Sequence, residues 1–414
     1  MKNKSLILLG IDAGIMLVGL SILLLTQYPN QDYTVLCWAG GAIAASFAVQ
    51  LFLLKSNFTQ DQWMLPMVMF FASIGVVMLG RLKPVLCIPQ LRWLIIGLAV
   101  LLVVLRLSSK LRELMQYHYI LGILSLIVLC LSLVFGTEIG GSKNWLVLGP
   151  FQVQPSEFGK ILLVLFLAAY LSDHKQVLRE AQRSFGPLKL PPLRFIAPLL
   201  CIWGMAILMF VVQRDLGSAL LFFCMAVFMT YMATGSKSYV FIALGFFMAG
   251  ACLSYQLFGH VRVRFDIWLN PWGDPAGQAY QVVQSLFAFA AGGTWGTGLT
   301  YGHPGLIPEV HTDFIFSAIG EELGLIGCTA VMLAYTLFFY RGISIALACR
   351  QELYMLIAAG LSISFYLQAF IIIAGVTKFL PLTGITLPFI SYGGSSMVSG
   401  FIMLGLLMAM AKKE

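Results

Sequence analysis

Long apolar runs separated by short polar turns make up most of the chain. Runs long enough to cross a hydrocarbon layer of roughly 30 Å fall at about residues 5–26, 34–54, 63–80, 91–107, 118–135, 157–172, 194–212, 216–234, 238–258, 313–340, 351–376 and 386–410. They predict an all-α, polytopic integral membrane protein of about 12 transmembrane helices. An even number of crossings puts both termini on one side. With the termini inside, the inner segments hold the larger share of Lys and Arg, including Lys55, Arg106, Lys110, Arg112, Lys175, Arg179, Lys412 and Lys413. Cytoplasmic loops carry such an excess, so both ends are expected in the cytoplasm. The loops at 136–156 and 259–312 then face outward. Arg81, Lys83 and Arg92 run against this rule, because they fall in an outward turn.

The pattern breaks most strongly between Asn270 and Gly324, where Pro, Gly, Gln, Trp, His, Asp and Glu crowd together before an apolar run. A large polar loop feeding a membrane helix is a place for chemistry. Its most pointed residue is Asp313, in His311-Thr312-Asp313-Phe314. As a plain structural group it would cap the helix that follows. As a functional one it would be a general base facing an outward cavity. Glu309 and His311 lie beside it, able to tune it or help hold a metal, although a lone His-x-Asp is a weak metal signal. On a helix continuing from Asp313, Glu321 lies about 80° around and Glu322 about 180° around. The two therefore cannot both share a cavity wall with Asp313, and pairing with neighbouring helices is expected for at least one.

Four further groups stand out. Pro155-Ser156-Glu157 reads as a helix start, with Lys160 one turn beyond Glu157, where the two can pair or Lys160 can meet an anion. Arg262 and Arg264 suit either lipid headgroups or a pyrophosphate. Gln278, Gln281, Gln284 and Ser285 form a polar stripe on a short amphipathic segment. Residues 380–396 surround Ser391, Tyr392, Ser395 and Ser396 with Pro and Gly. Such unwound backbone survives at membrane depth only where protein or a cavity surrounds it.

Composition narrows the classes. Of 414 residues 60% are hydrophobic and only 10% charged, against about 25% charged in soluble domains. No Ser- or Pro-rich linker divides the chain. Eight scattered cysteines without a C-x-x-C pair suggest neither disulfides nor a zinc site. The net charge of +8 is accounted for by the inner loops, and no nucleic-acid partner is expected. The first apolar run is too long for a signal-peptide core and lacks a cleavage site, so it is expected to be a retained anchor. Gly292–Gly298 matches neither a dinucleotide fingerprint nor a P-loop.

Five stretches taken together, GSKNWLVLGPFQVQPSEFGK, QRDLGSALL, YQVVQSLFAFAAGG, IPEVHTDFIFSAIGEELG and LPLTGITLPFISYGGSS, resemble the SEDS family of FtsW, RodA and SpoVE. The resemblance covers roughly residues 118–410. It implies a family core of 10 helices whose catalytic part spans 118–414, including the extracytoplasmic loop 259–312, with N-terminal helices at 1–117 that are partly additional to that core and add about two to the family count. It also implies a peptidoglycan glycosyltransferase polymerising lipid II at the outer face of the bacterial cytoplasmic membrane, for elongation, division or sporulation. A class B penicillin-binding protein would supply the transpeptidase, and membrane lipids would surround both. The family's catalytic aspartate falls on Asp313, and its polar Q-P-S-E-x-x-K residues fall on Glu157 and Lys160. Two places depart from the family pattern. Arg214 stands where a proline is common, and Lys143 is followed by Asn144 where two basic residues are common.

Glycosyl transfer from a lipid pyrophosphate needs a base for the acceptor hydroxyl and positive charge for the leaving group. Asp313 is the expected base. Lys143, Lys160, Arg262 and Arg264, with Gln284, His311, Ser391 and Ser395, are the expected substrate contacts. No cofactor is certain, and a divalent cation (Mg or Mn) is a candidate. Two other classes compete: a lipid II flippase, which could use Glu157, Lys160, Glu321 and Glu322, and a non-catalytic scaffold of the cell-wall machinery, for which Asp313 would be freely replaceable while the helix surfaces would not.

Overall fold

A computed structural model describes residues 2–26, 33–56, 61–139, 142–149, 151–179, 183–185, 188–190 and 193–411. Lys412 and Lys413, counted above among the inner charges, lie outside the described residues. Among the described residues ten helices are long and apolar enough to cross a membrane, and two shorter apolar helices, Ala197–Val212 and Gly394–Met410, accompany them. Each coincides with one of the apolar runs. The helices group into two compact units that interleave along the chain.

The first unit comprises Met1–Ser108, Ile267–Arg341 and Gln368–Glu414. It opens with α1 (Lys2–Thr26), α2 (Thr34–Lys55), α3 (Met64–Leu82) and α4 (Cys87–Leu107). The second unit, Ser109–Asp266 with Gly342–Leu367, holds α5 (Leu111–Met115), α6 (His118–Phe135), α7 (Pro155–Arg179), α8 (Leu193–Val212), α9 (Leu216–Thr234) and α10 (Lys237–Leu257). After α11 (Gly259–Leu269) the chain returns to the first unit with α12 (Tyr280–Gly292) and most of α13 (Ile315–Ala348). It then passes through α14 (Glu352–Val376) and ends in α15 (Gly394–Met410).

In the second unit the segment expected only as a loop at 136–156 folds as an antiparallel sheet, β1 (Thr137–Ile139), β2 (Ser142–Leu148) and β3 (Phe151–Val153). The sequence Lys-Asn-Trp-Leu-Val-Leu carries the aromatic and β-branched residues that suit a pleated surface. Its strand pairs Leu148 with Phe151 of β3. A second antiparallel pair is β4 (Arg183–Phe185) with β5 (Leu188–Leu190). The sheet is tied to the turn before α9. Asp215 accepts from the Ser218 amide at 3.0 Å, from the Ser218 hydroxyl at 2.8 Å and from Asn144 Nδ2 at 2.9 Å. Asp215 is thus a buried helix cap, while the exposed Arg214 lies 3.6 Å from Glu138. Arg214 has φ of +60°, which proline, locked near −65°, cannot adopt.

In the first unit the helix holding Glu321 and Glu322 is broken at Gly324, where φ is 66° and ψ is −166°. The loop after α12 enters the gap. Thr297 N donates to Glu321 O at 2.9 Å and Gly298 N to Glu322 O at 3.0 Å, while Leu325 N donates to Gly293 O at 2.9 Å. Every amide or carbonyl released by the break would cost free energy in hydrocarbon, and the loop supplies the partners. A Cβ on Gly324 would stand 2.3 Å from the Gly296 amide nitrogen on a left-handed backbone. Gly324→Ala is therefore expected to destabilise the protein by about 2–4 kcal/mol, read as a lowered unfolding temperature in detergent.

Candidate active site

Asp313 lies two residues ahead of α13, in a turn where Thr312 donates both its amide (3.1 Å) and its hydroxyl (3.0 Å) to Glu309 O. Phe314, next along, is buried and anchors the turn, while Asp313 itself is half-buried. The irregular stretch before α15 clamps this turn from the other side. The Ser391 hydroxyl donates to Thr312 O at 2.5 Å and accepts the Leu387 amide at 2.9 Å, and the Tyr392 amide donates to His311 O at 3.1 Å. Gln90 of α4 donates to Ser391 O at 3.2 Å and accepts the Gly393 amide at 3.4 Å. Gly384 has φ of +74°, and a Cβ built there would stand 3.3 Å from Asp313 Oδ2. The carboxylate thus rests against bare backbone, between two turns that hydrogen bonds hold in register. Ser391 is expected from the sequence as a substrate contact; the structure shows its hydroxyl engaged in the clamp. Ser395 is buried in the first turn of α15, beside Ser396, whose hydroxyl lies 3.2 Å from that of Thr386.

His311 Nε2 lies 3.7 Å from Glu309 Oε2. Burial holds its pKa below the ordinary 6.5, Lys83 adds to the depression and Glu309 opposes it. The imidazole is therefore neutral at pH 7. Lys83, which runs against the topology rule in the sequence, thus acts on the turn that carries Asp313 through His311. Among the described residues no three His, Cys, Asp or Glu side chains converge as metal ligands.

Glu321 and Glu322 are committed elsewhere. Glu322 Oε1 accepts from Arg81 Nε at 2.7 Å, with both side chains largely buried. Arg81 also donates to Gly302 O at 2.8 Å. Glu321 Oε1 accepts the His303 amide at 2.6 Å. Arg81, the other charge that broke the topology rule, is thus the counter-ion of a membrane carboxylate. The polar stripe of α12 is divided as well. Ser285 is buried against Ser317 (2.7 Å) and Val376 O (2.8 Å), Gln281 reaches Pro308 O (3.4 Å), and Gln284 is half-buried.

In the second unit Lys160 Nζ lies 2.6 Å from Glu157 Oε2, with both side chains buried in the first turns of α7. Lys143 is exposed on β2, and its amide donates to Gln213 O at 3.2 Å. Arg262 and Arg264 fall on a helix, α11, where residues two apart point about 200° from each other, so the structure does not bring them together as one anion clamp. Arg262 lies over the Tyr255 ring, 5.6 Å from its centroid.

Comparison with known proteins follows the same lines. Residues 54–414 match the family model of the FtsW, RodA and SpoVE cell cycle proteins. The peptidoglycan glycosyltransferase RodA of Mycobacterium tuberculosis is 40% identical over 84% of this chain and 77% of its own. That of Mycobacterium leprae is 37% identical over 98% of this chain and 89% of its own. Among solved structures, a chain from a study of how a peptidoglycan synthase complex coordinates polymerization and crosslinking superposes with a TM-score of 0.67. It is 28% identical, over 84% of this chain and 96% of that one.

Two outcomes follow from the geometry. Arg81→Ala leaves Glu322 as a buried charge without its cation and is expected to cost about 3–5 kcal/mol. The Arg81→Ala, Glu322→Ala double variant should recover part of that loss in a thermal double-mutant cycle. For His311 the folded state binds protons less readily than the unfolded state, so stability is complete above pH 6.5 and falls as the pH drops below it. Melting temperatures measured between pH 7.5 and 5 should fall less steeply for His311→Gln than for the parent.

Proposed function

The chain belongs to the cell cycle protein family of FtsW, RodA and SpoVE and is a membrane glycosyltransferase of peptidoglycan synthesis, and on that premise we propose that Asp313 is its general base. The observation that carries this reading is the placement of its carboxylate, half-buried at the mouth of α13 against Gly384 and between two clamped turns. Orientation of this kind is what proton abstraction requires of a base.

In the proposed reaction the substrate is lipid II. Asp313 accepts the proton of the 4-hydroxyl on the acceptor's N-acetylglucosamine. The oxygen attacks C1 of the lipid-linked N-acetylmuramic acid, and the bond from C1 to the pyrophosphate breaks with its electron pair on the phosphate. Lys83, close enough to depress His311, adds positive potential at this turn. Lys143, Lys160, Arg262 and Arg264 are proposed as contacts to the anionic parts of the substrate, with Glu157 holding the Lys160 ammonium in place. Neutral His311 and half-buried Gln284 are proposed to hydrogen-bond the sugars. Ser391 and Ser395 would act by holding the clamp.

We place the reaction at the outer face of the cytoplasmic membrane, with both termini inside, from the distribution of Lys and Arg. The solved relative comes from an assembly that coordinates polymerization with crosslinking. By analogy this chain would polymerise while a class B penicillin-binding protein crosslinks. The test is lipid II polymerisation by the purified chain with its transpeptidase partner. Asp313→Asn is expected to lower the rate at least ~100-fold with its melting curve unchanged. Full activity in a folded Asp313→Asn protein would remove Asp313 from this role.

A further inference from the structure

Among the described residues α10 is the membrane-spanning helix of the second unit that is least buried. Of its 21 residues only Tyr239 and Ala243 are buried. The Tyr239 hydroxyl, donating to Leu178 O at 2.8 Å, pins its first turn to the end of α7. Across from it, α14 lies tight on α9, since a Cβ on Gly360 would stand 2.7 Å from the Met229 sulfur. Between the two sides a groove of about 520 Å³ remains. Phe223 and Val227 of α9 line it, with Val240 and Phe241 of α10 and Ile363 and Leu367 of α14. The one charged residue on its wall is Lys237, at the first position of α10, where a membrane helix meets the headgroups. Lys237 is exposed.

We propose that this groove is a binding site for an anionic phospholipid, with an acyl chain between α9, α10 and α14 and the phosphate on Lys237. Three observations favour this occupant. The groove is bounded by membrane-spanning helices, so hydrocarbon is the medium that reaches it, and a void there would forfeit the dispersion contacts of its lining. Apart from Tyr231 and Lys237, its walls are apolar side chains that an acyl chain covers without desolvating a polar group. Its single charge is positive and sits at headgroup level, the arrangement by which basic pockets between membrane helices hold anionic lipids. The bound chain would complete the packing of α10, which continues through α11 into the loop that leads to Asp313.

The experiment is native mass spectrometry of the full chain, titrated with phosphatidylglycerol or phosphatidylcholine, with the melting temperature read in parallel. One phosphatidylglycerol is expected to be retained per chain, in preference to phosphatidylcholine, and to raise the melting temperature. Lys237→Ala should weaken retention about five-fold, which corresponds to about 1 kcal/mol per basic residue at an anionic surface, and Lys237→Arg should restore it. Val227→Trp, which fills the groove without touching Lys237, should abolish retention of the chain. Equal retention of the two lipids, or wild-type retention by both Lys237→Ala and Val227→Trp, would overturn the proposal. Displacement of phosphatidylglycerol by equimolar undecaprenyl phosphate would overturn the assignment to a phospholipid and make the groove a carrier-lipid site. None of these readouts depends on glycosyl transfer, so they stand or fall apart from the role of Asp313.

Discussion

Hydrocarbon offers no partner to a bare amide or carbonyl, and the two irregular segments of the first unit both answer that constraint. At Gly324 the helix opens and the loop at 293–298 enters, giving its amides to Glu321 O and Glu322 O and taking those of Leu325 and Ile326. Ahead of α15 the backbone from Leu387 to Gly393 is satisfied by Ser391, Gln90 and the carbonyls of the turn before α13. Each break is therefore held in one arrangement, since slippage would strand several polar groups at once. Asp313 lies against the second of these segments, and its placement follows from that hydrogen bonding as much as from side-chain packing.

The charges obey a related rule. An ionised carboxylate inside a membrane protein needs a cation or a set of donors. Glu322 has Arg81, Glu157 has Lys160, and Glu321 has the His303 amide. These groups hold elements together: Arg81 spans α3, α13 and the loop carbonyl of Gly302, while the Glu157–Lys160 pair stays within two turns of α7. The Arg81–Glu322 bridge is best read as a fastener of polar backbone.

What was legible in the sequence follows the physics of each element. The membrane helices were readable because hydropathy over some twenty residues is a one-dimensional signal, and every apolar run became a helix. The break before α15 was readable because Pro and Gly cluster with Ser there. The break at Gly324 was not, since a single glycine inside an apolar run is ordinary, and only the incoming loop shows why φ must be positive. Arg81 and Lys83 were misjudged for a similar reason. A topology count treats every outer cation alike, whereas one is bound to Glu322 and the other acts on His311. The sheet at 137–153 was passed over because short strands beside Gly and Pro give little periodic signal. Arg262 and Arg264, two apart in sequence, fall on the helical backbone of α11, which points them about 200° from each other.

The proposed role of Asp313 in proton transfer rests on what sets it apart from Glu322 and Glu309. A general base must meet its substrate, so it has to be reachable, and it must point one way, so it has to be braced. Glu322 is braced but sealed, with no side-chain exposure and a guanidinium at 2.7 Å. Glu309 is reachable, with a side chain 64% exposed, but lies on the rim and faces His311. Asp313 meets both conditions: its side chain is half-buried, and the turn that carries it is clamped through Thr312 O and His311 O. The bare backbone of Gly384 beside Oδ2 leaves the carboxylate uncrowded, and an alanine there would intrude on the one acidic group that is both reachable and braced.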